Sequence, residues 1–348
     1  MTQESGSFRF FTAEHADPHA LDGERVAVLG YGNLGRAVAL NLRDAGVSPL
    51  VVGNIPDAYA DQARAEGFAV LPIGEAVAAS SVSLVLLPDE VIPEVFLADI
   101  APNLAPVGGR PPAMILASGY TLAYGLVVPA AGVDVLLLAP RMGGELARER
   151  FLNRQGFFAY VSVEQDASGK AWPRLLGVAQ AVGVLQAGAL ELDARREATL
   201  DLFVEQSLGA ALGVAIMTAF NQGVEAGIPP EAMVLEMYMS GEMETVFRAF
   251  REKGFFRSSD AHGPTALYGG YVRTMQLMMT DLPSKFHETL EEIRSGEFAR
   301  QFQAERDGGY PALGLAQSMT AEANPVTQPI VDAEARVRAM LRDTAPRP

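Results

Sequence analysis

Three glycines in the segment Arg25–Gly35 have the spacing of a dinucleotide-binding turn. A short β-branched run leads into G-x-G-x-x-G at Gly30, Gly32 and Gly35, and an Ala- and Leu-rich amphipathic stretch follows as far as Gly46. In such a turn the first glycine permits the bend, the second lets the backbone approach a pyrophosphate, and the third allows close helix–strand packing. Free N–H groups at the start of the helix attract the phosphates. A lone glycine turn can be only a turn, but these flanks favour dinucleotide binding.

The cofactor-binding residues that this interpretation predicts lie in the turn and at the ends of neighbouring strands. A dinucleotide bound to a doubly wound sheet lies outside the carboxyl ends of the strands. The predicted set is Gly30, Tyr31, Gly32, Asn33, Leu34, Gly35, Asn54, Asp57, Leu87 and Pro88.

The segment after the second predicted strand indicates which dinucleotide is bound. Residues that contact the ribose are expected roughly 20 residues past the glycine turn. A 2′-phosphate would favour Lys or Arg in this segment, but Asn54–Asp61 contains neither. Asp57 and Asp61 would instead repel a phosphate. A carboxylate there can hydrogen-bond the ribose hydroxyls of NAD, although Asp57 could instead cap the next helix and Arg64 could support NADP. We expect NADH to be preferred over NADPH.

Two carboxylates, Asp201 and Glu205, lie four residues apart on one face of a predicted helix. Side by side in an apolar stretch, they repel each other unless a cation or a proton intervenes. Because the chain has no cysteine and four histidines, a bound metal would be a hard, oxygen-preferring ion such as Mg²⁺. Glu236, Glu242 and Glu244 on a later helix could complete the site. The alternative is a solvated helix face, which periodicity cannot distinguish from a metal site.

The first half of the chain predicts an α/β domain with a doubly wound, mostly parallel sheet. Apolar strand-like runs alternate there with helical patterns such as Ala58–Glu66 and Glu90–Ala98, which is typical of βαβ units. The predicted strands are Val26–Leu29, Leu50–Gly53, Leu84–Leu87, Met114–Ala117 and Asp134–Ala139.

From about Ala189 onward the pattern is helical, with no convincing strand. The predicted helices are Arg195–Gly223, Pro230–Arg251, Leu267–Thr280 and Ser284–Glu292. We therefore expect a Rossmann-type domain over residues 1–187, an all-α domain over 188–342 and a disordered tail over 343–348.

Composition excludes several classes of function. A net charge of −15 argues against nucleic acid or an anionic membrane as partner. The absence of cysteine excludes disulfides, thiolate metal sites and cysteine nucleophiles. Glu4 and Arg9 in the polar N-terminal stretch predict no signal peptide, which fits a cytoplasmic protein. Gln206–Val224 is uncharged but contains polar residues and glycines, so we expect a buried helix instead of a membrane span.

Several motifs together resemble the ketol-acid reductoisomerases, also called acetohydroxy acid isomeroreductases, in their short class. The similarity runs nearly end to end. The matching segments are LDGERVAVLGYG at 21–32, ALNLRDAG at 39–46, LLPDEV at 86–91, QDASG at 165–169, DLFVEQ at 201–206 and TALYG at 265–269.

The resemblance implies a Rossmann-type domain followed by a knotted helical domain, a rare exception to the no-knot rule. It also implies two Mg²⁺ ions at the domain and subunit interface. The implied reaction is a metal-assisted alkyl migration followed by hydride transfer from NAD(P)H, a step of branched-chain amino acid synthesis. Carried over by position, Asp201 matches the bridging metal ligand, Glu205 a second ligand, and Glu236 a ligand supplied by the partner subunit. The implied protein is a homodimer or a higher homo-oligomer.

Four positions depart from the family pattern. The family's active-site histidine falls at Ser118, its lysine at Arg141, the second glutamate of the partner helix at Ser240, and a substrate-contacting serine at Gly263. Arg141 can clamp a carboxylate but cannot shuttle a proton as lysine can, and Ser240 removes a charged ligand from one metal ion. The cofactor half of the signature is retained, while the isomerase half is altered.

These residues predict an NAD(P)H-dependent, Mg²⁺-assisted reductase of a small 2-keto acid or related compound, with an impaired isomerase step. Its predicted catalytic residues are Asp201, Glu205, Arg141 and Ser118. Two alternatives remain: an ordinary ketol-acid reductoisomerase that tolerates the substitutions, and a non-catalytic cofactor-binding protein.

Overall fold

The computed structural model of the chain describes residues 8–257, 263–320, 324–325 and 327–344. It divides after Asp201 into two compact units, residues 1–201 and 202–348. The sequence places this division after residue 187, fourteen residues earlier. The intervening segment contains a strand that pairs with the sheet and most of a helix, and both belong to the first unit.

The first unit contains a nine-stranded sheet in the order β1-β9-β8-β7-β6-β5-β2-β3-β4. The six strands from β4 to β7 in this order are mutually parallel. β8 runs antiparallel to β7, β9 parallel to β8, and β1 antiparallel to β9. The strands are β1 Phe10–Phe11, β2 Val26–Leu29, β3 Leu50–Gly53, β4 Ala69–Leu71, β5 Val82–Val85, β6 Ala113–Leu116, β7 Asp134–Pro140, β8 Ala159–Gln165 and β9 Ala189–Glu191.

The strand order reverses between β2 and β5. From β2 the chain moves outward to β3 and β4, and it then returns to the other side of β2 as β5. In an open α/β sheet such a reversal leaves a crevice at the carboxyl ends of the two strands, where ligands bind. The glycine turn follows β2 directly, so the fold places the predicted cofactor residues at this crevice.

Helices pack on the sheet because its central strands are apolar on both faces. β2, β5 and β6 are buried throughout, as expected for parallel strands covered on both sides. The helices of this unit are α1 Asn33–Asp44, α2 Ala58–Ala65, α3 Ile73–Ala78, α4 Ile92–Val95, α5 Tyr120–Ala123, α6 Gly144–Leu152, α7 Ala171–Val182 and α8 Ala194–Phe203, with a π-helical turn at Phe96–Ile100.

The described part of the second unit is helical. A small core forms where α9, α10 and α16 meet, around Phe220, Val234, Ala333 and Val337. The helices are α9 Ala210–Glu225, α10 Pro230–Val234, α11 Glu242–Lys253, α12 Pro264–Met278, α13 Leu282–Arg294, α14 Glu297–Asp307, α15 Pro311–Thr320 and α16 Gln328–Thr344, with π-helical turns at Val204–Gly209 and Leu235–Met239. The all-α prediction is confirmed here, and the knotted arrangement stays a prediction.

Several sequence predictions of secondary structure differ from the structure, and three of the differences affect the second half of the chain. A strand does occur after residue 188, because Ala189–Glu191 pairs with β8 as β9, a long-range pairing that local pattern does not reveal. The predicted helix Pro230–Arg251 is interrupted, because Gly241 takes a left-handed conformation at φ 82°. The predicted tail begins inside α16, which ends at Thr344, and residues 345–348 lie outside the described residues.

The prediction of a buried helix over Gln206–Val224 is wrong for the single chain. Within the described residues the helical segment Ala194–Glu225 is long and apolar enough to cross a membrane by length and composition, yet only 6% of its most apolar window is buried. Leu208, Leu212 and Val214 are 59%, 45% and 67% exposed. Much of the surface of these side chains stays exposed among the described residues, so composition correctly indicated an apolar helix but not how far the chain buries it.

Candidate functional site

The glycine turn has the geometry that dinucleotide binding needs. Gly30 has φ of 93°, which L-residues rarely adopt, and a Cβ there would lie 2.6 Å from the Leu86 backbone oxygen. A Cβ on Gly35 would lie 2.0 Å from the Gly30 oxygen, so only glycine lets α1 pack this closely on the turn. A Cβ on Gly32 would meet nothing within 4 Å. The space next to Gly32, at the start of α1, is open for a phosphate group.

The other residues predicted in the turn have different surroundings. Asn33 is exposed at the start of α1, and its side-chain oxygen accepts a hydrogen bond from the Glu145 N–H. Leu34 is half-buried and packs against the main core of the first unit. Tyr31 is buried and its hydroxyl donates to Glu66, so its side chain serves packing and only its backbone lines the turn.

Asn54 and Asp57 follow β3 and connect the second strand end to the turn. The Asn54 oxygen accepts from the Tyr31 N–H at 2.9 Å, while its amide donates to Asp57 Oδ1 at 2.8 Å. Asp57 Oδ1 also accepts from the Ala60 N–H and caps α2. The alternative that Asp57 caps the following helix is therefore confirmed. Both bonds use Oδ1, which leaves Oδ2 available for a ribose hydroxyl.

A polar cluster lies at the carboxyl ends of β5, β6 and β7. It comprises Asp89 after β5, Ser118 after β6, Arg141 after β7, and Glu197 and Asp201 on α8. Leu87 and Pro88, the half-buried and exposed residues just before Asp89, link the cluster to the cofactor turn. The structure thus brings Ser118, Arg141 and Asp201 to one edge of the sheet.

Hydrogen bonds connect the members of this cluster. The Ser118 hydroxyl donates to Asp89 Oδ2 at 3.1 Å, and the Gly119 N–H donates to Glu197 Oε2 at 2.7 Å. Arg141 donates to Glu197 Oε1 at 3.2 Å and to Asp201 Oδ1. The guanidinium therefore bridges two carboxylates one turn apart on α8.

Sequence reasoning missed Asp89 and Glu197. Asp89 lies in the motif at 86–91, four residues after β5 ends, and an acidic residue this close to a strand end is a signal that the sequence offers. Glu197 precedes Asp201 by one helical turn, so the same face carries both. A Cβ on Gly119 would lie 2.1 Å from the Ala194 oxygen, so glycine is what lets α8 approach β6 closely. That contact is long-range and has no sequence signature.

The cluster carries more negative than positive charge. Burial raises the pKa of Glu197 to about 7, and the charges of Asp201 and Asp89 add to this rise, against the hydrogen bond from Gly119 and the charge of Arg141. Burial likewise raises the pKa of Asp89 to about 6. Three carboxyl groups face one guanidinium, a balance that an added cation would relieve.

Carboxylate oxygens suit Mg²⁺, and the surplus of negative charge around Asp201 fits a divalent cation. Within the described residues no three His, Cys, Asp or Glu side chains converge closely enough to hold a metal ion. Further ligands would come from water, substrate or a second chain. Glu205 and Glu236 are exposed residues of the second unit, and their joining Asp201 in one site stays a prediction.

The helix that carries Glu236 ends before the other acidic residues. Glu236 lies in the π-helical turn Leu235–Met239, and Gly241 then begins a new helix with Glu242 and Glu244 in its first turn. The Ser240 hydroxyl accepts from the Glu242 N–H at 3.3 Å. Because the helix breaks here, Glu242 and Glu244 do not continue the face of Glu236, and Ser240 offers no charge in their place.

Comparisons with known proteins place these features in a family. The profile described as "Acetohydroxy acid isomeroreductase, NADPH-binding domain" matches residues 20–188, and "Ketol-acid reductoisomerase, C-terminal domain" matches residues 195–343. A protein of Saccharolobus solfataricus described as "Putative ketol-acid reductoisomerase 3" is 37% identical over 305 residues, which cover 87% of this chain and 90% of that protein.

Solved structures are similar to this chain as well. An NADH-preferring ketol-acid reductoisomerase from an uncultured archean superposes with a TM-score of 0.85 at 29% identity, covering 97% of this chain and 100% of that one. A semialdehyde dehydrogenase NAD-binding protein from Cupriavidus necator, solved with calcium and NAD, has a TM-score of 0.59 at 20% identity and covers 78% of this chain and 99% of that one. At this identity the second likeness shows the fold alone.

Proposed function

Because the chain belongs to the ketol-acid reductoisomerase family and is an NAD(P)-dependent oxidoreductase, we propose that it reduces a 2-keto acid or a related carbonyl or imine compound, with an impaired alkyl-migration step. The observation that carries this proposal is the contrast between the two halves of the site. The glycine turn retains the geometry that a dinucleotide needs, whereas Ser118 and Arg141 stand where the family resemblance places histidine and lysine.

Each residue of the site has a proposed role. Gly30, Gly32 and Gly35 bind the pyrophosphate, and Asp57 contacts the ribose. Arg141 contacts an anionic group of the substrate. A guanidinium has five N–H donors, and the hydrogen bonds to Glu197 and Asp201 leave further N–H groups available for this contact. The reduced nicotinamide supplies the hydride.

Asp201 and Glu205 are the proposed Mg²⁺ ligands, with Glu236 from a second copy of the chain. Bound there, Mg²⁺ would act as a Lewis acid on the keto oxygen of the substrate. Arg141 holds Asp201 at the cluster beforehand. The guanidinium occupies Asp201 Oδ1, so Oδ2 is the oxygen that Asp201 would offer to a metal ion.

The assay that tests this function is NADH oxidation by the purified protein with Mg²⁺ and 3-hydroxy-3-methyl-2-oxobutanoate, the already rearranged intermediate of the family reaction. Turnover on this compound or on other 2-keto acids supports the proposal. Quenching of NADH fluorescence without any turnover would contradict it and favour a non-catalytic cofactor-binding protein.

The second candidate is an ordinary ketol-acid reductoisomerase of branched-chain amino acid biosynthesis. The match of both family profiles over nearly the whole chain favours it. Efficient turnover of acetolactate would distinguish it from the first candidate.

We expect NADH to bind more tightly than NADPH, by roughly 10- to 100-fold, because Asp57 and Asp61 repel the 2′-phosphate by about 1–3 kcal/mol. The measurement is the Kd of each cofactor by fluorescence titration. Asp57→Asn is a matched control, since asparagine also caps a helix but carries no charge. This variant should show a smaller difference between the Kd of NADH and that of NADPH. A lower Kd for NADPH in the unaltered protein would refute this preference.

We expect the active unit to be at least a homodimer. The described residues hold no complete metal site, and large apolar side chains such as Leu208 on the segment before α9 and Tyr268 and Met275 on α12 are exposed. Such surface is usually covered by another chain.

Mixing Asp201→Asn with Glu236→Gln protein should therefore restore part of the activity, because a hybrid dimer contains one intact set of ligands. The control is each variant alone at the same concentration, which should stay inactive. No recovery after demonstrated subunit exchange would count against a shared site. Apart from a second copy, we propose a small-molecule substrate, a cytoplasmic location, and no nucleic-acid or membrane partner, given the charge of −15.

A further inference from the structure

Asp89 and Ser118 form a hydrogen-bonded pair at the carboxyl ends of β5 and β6, next to the point where the strand order reverses. β5 and β6 are adjacent and parallel, with Val85 opposite Leu116, so the residues that follow these strands lie at the same edge. Ser118 Oγ donates to Asp89 Oδ2 at 3.1 Å and accepts from the Tyr120 N–H at 3.2 Å. The pair faces the crevice in which a nicotinamide and its substrate are expected.

The two bonds of Ser118 Oγ restrict what its proton can do. The Tyr120 N–H occupies one acceptor position of the hydroxyl, and an ionised Asp89 takes the hydroxyl hydrogen. When Asp89 is protonated, it can instead donate to Oγ, and the hydroxyl hydrogen then becomes available to another acceptor. The hydroxyl can thus offer a proton to the crevice only when the carboxyl behind it holds one.

The surroundings of Asp89 make its protonated form more abundant than that of an exposed aspartate. Burial raises the pKa of Asp89 most strongly, the hydrogen bond from Ser118 opposes this rise, and the charges of Glu90 and Asp201 add to it, which together bring the pKa to about 6. Glu197 is the other carboxyl that faces it. Arg141 is bonded to Glu197 and Asp201, and no hydrogen bond joins Arg141 to Asp89 among the described residues.

We propose that Ser118 is the catalytic proton donor of the reduction and that Asp89 resupplies its proton. This rests on the proposed function. The carbonyl carbon accepts a hydride from the reduced nicotinamide, and the π bond opens onto oxygen, which takes the proton of Ser118 Oγ. Oγ takes the proton of Asp89 Oδ2, and the carboxylate is reprotonated by water. The carbonyl compound becomes an alcohol and the cofactor its oxidised form; for an imine, nitrogen takes the proton and an amine results.

Glu197 is less suited to this task. Its Oε2 accepts from the Gly119 N–H and its Oε1 from Arg141, so both oxygens face fixed donors. The Oδ1 of Asp89 has no hydrogen-bond partner among the described residues, and the residue is only partly buried, so that side of the carboxyl is the one on which the proposal places the exchanging water. Glu197 positions Arg141, while Asp89 has room to exchange a proton.

The test is the pH dependence of kcat for NADH oxidation with 3-hydroxy-3-methyl-2-oxobutanoate. In the unaltered protein kcat should fall as the pH rises through the pKa of Asp89, because the protonated form is active. Asp89→Asn still accepts the Ser118 bond but holds no transferable proton, so kcat should drop by about 100-fold at pH 6 and lose this pH dependence. Ser118→Ala should lose the pH dependence as well. Both variants should still bind NADH, as measured by quenching of NADH fluorescence.

Glu90→Gln is the matched control, since it removes the neighbouring charge but leaves the Asp89–Ser118 bond. Its kcat at low pH should equal that of the unaltered protein, and its pH profile should move to lower pH. If Asp89→Asn keeps the original profile, the relay is overturned while the reductase function stands. If the unaltered protein binds NADH but reduces no 2-keto acid at any pH, the relay and the proposed function both fall.

Discussion

Supplied with Mg²⁺ and NADH, the protein should reduce 3-hydroxy-3-methyl-2-oxobutanoate at least about 100-fold faster than acetolactate. Acetolactate must first undergo alkyl migration, which develops charge on two oxygens at once. Stabilising both is the work of a two-metal site. Reduction of the rearranged compound needs the cofactor, one metal ion, a substrate clamp and a proton donor, and it does not need a second metal ion.

The second helical unit gives the reason to expect this difference. Ser240 carries no charge, and the helix breaks at Gly241, so Glu242 and Glu244 do not extend the face that holds Glu236. In addition, Ser118 and Arg141 stand where the family resemblance implies a histidine and a lysine. One metal ion would be weakly held, and migration would suffer more than hydride transfer.

Two measurements check this result. Initial rates of NADH oxidation are compared for the two compounds at equal Mg²⁺ concentration. Ser240→Glu then restores a carboxylate, and it should raise the rate on acetolactate while leaving the rate on the rearranged compound nearly unchanged. Comparable rates on both compounds in the unaltered protein would show that isomerisation survives and that our interpretation of Ser240 is wrong.

Two alanine substitutions in the glycine turn should impair different properties, one the binding of NADH and the other the stability of the fold. Gly32 has φ of −71° and open space next to its Cα, so Gly32→Ala should cost less than about 1 kcal/mol of folding free energy. Its methyl group would occupy the approach of the pyrophosphate, and NADH affinity should fall roughly 100-fold, about 2.7 kcal/mol. Gly35→Ala would put a Cβ 2.0 Å from the Gly30 oxygen and should destabilise the fold by about 3 kcal/mol.

Thermal unfolding and NADH titration separate the two variants. Gly32→Ala should keep its Tm within a few degrees while losing binding, and Gly35→Ala should show a clearly lower Tm. Unchanged NADH affinity in Gly32→Ala would mean that the pyrophosphate does not approach this position.

Local sequence determined the features that depend on neighbouring residues. The glycine spacing from Gly30 to Gly35, the apolar run of β2 and the helical periodicity after residue 194 follow from nearby residues, and so does the cap that Asp57 forms. Backbone sterics and side-chain periodicity act over a few residues. This is why the α/β and all-α classes could be predicted, and why the motif at 201–206 carried the family resemblance.

Tertiary structure alone decided which residues meet. The close approach of α8 to Gly119, allowed by the missing Cβ, brings Glu197 beside Arg141, and the order of β5 and β6 places Asp89 beside Ser118. The pairing of β9 with β8 and the exposure of the helix after Asp201 are long-range outcomes of the same kind. They depend on how distant segments pack and on which apolar faces the chain itself can cover, and no local pattern contains that information.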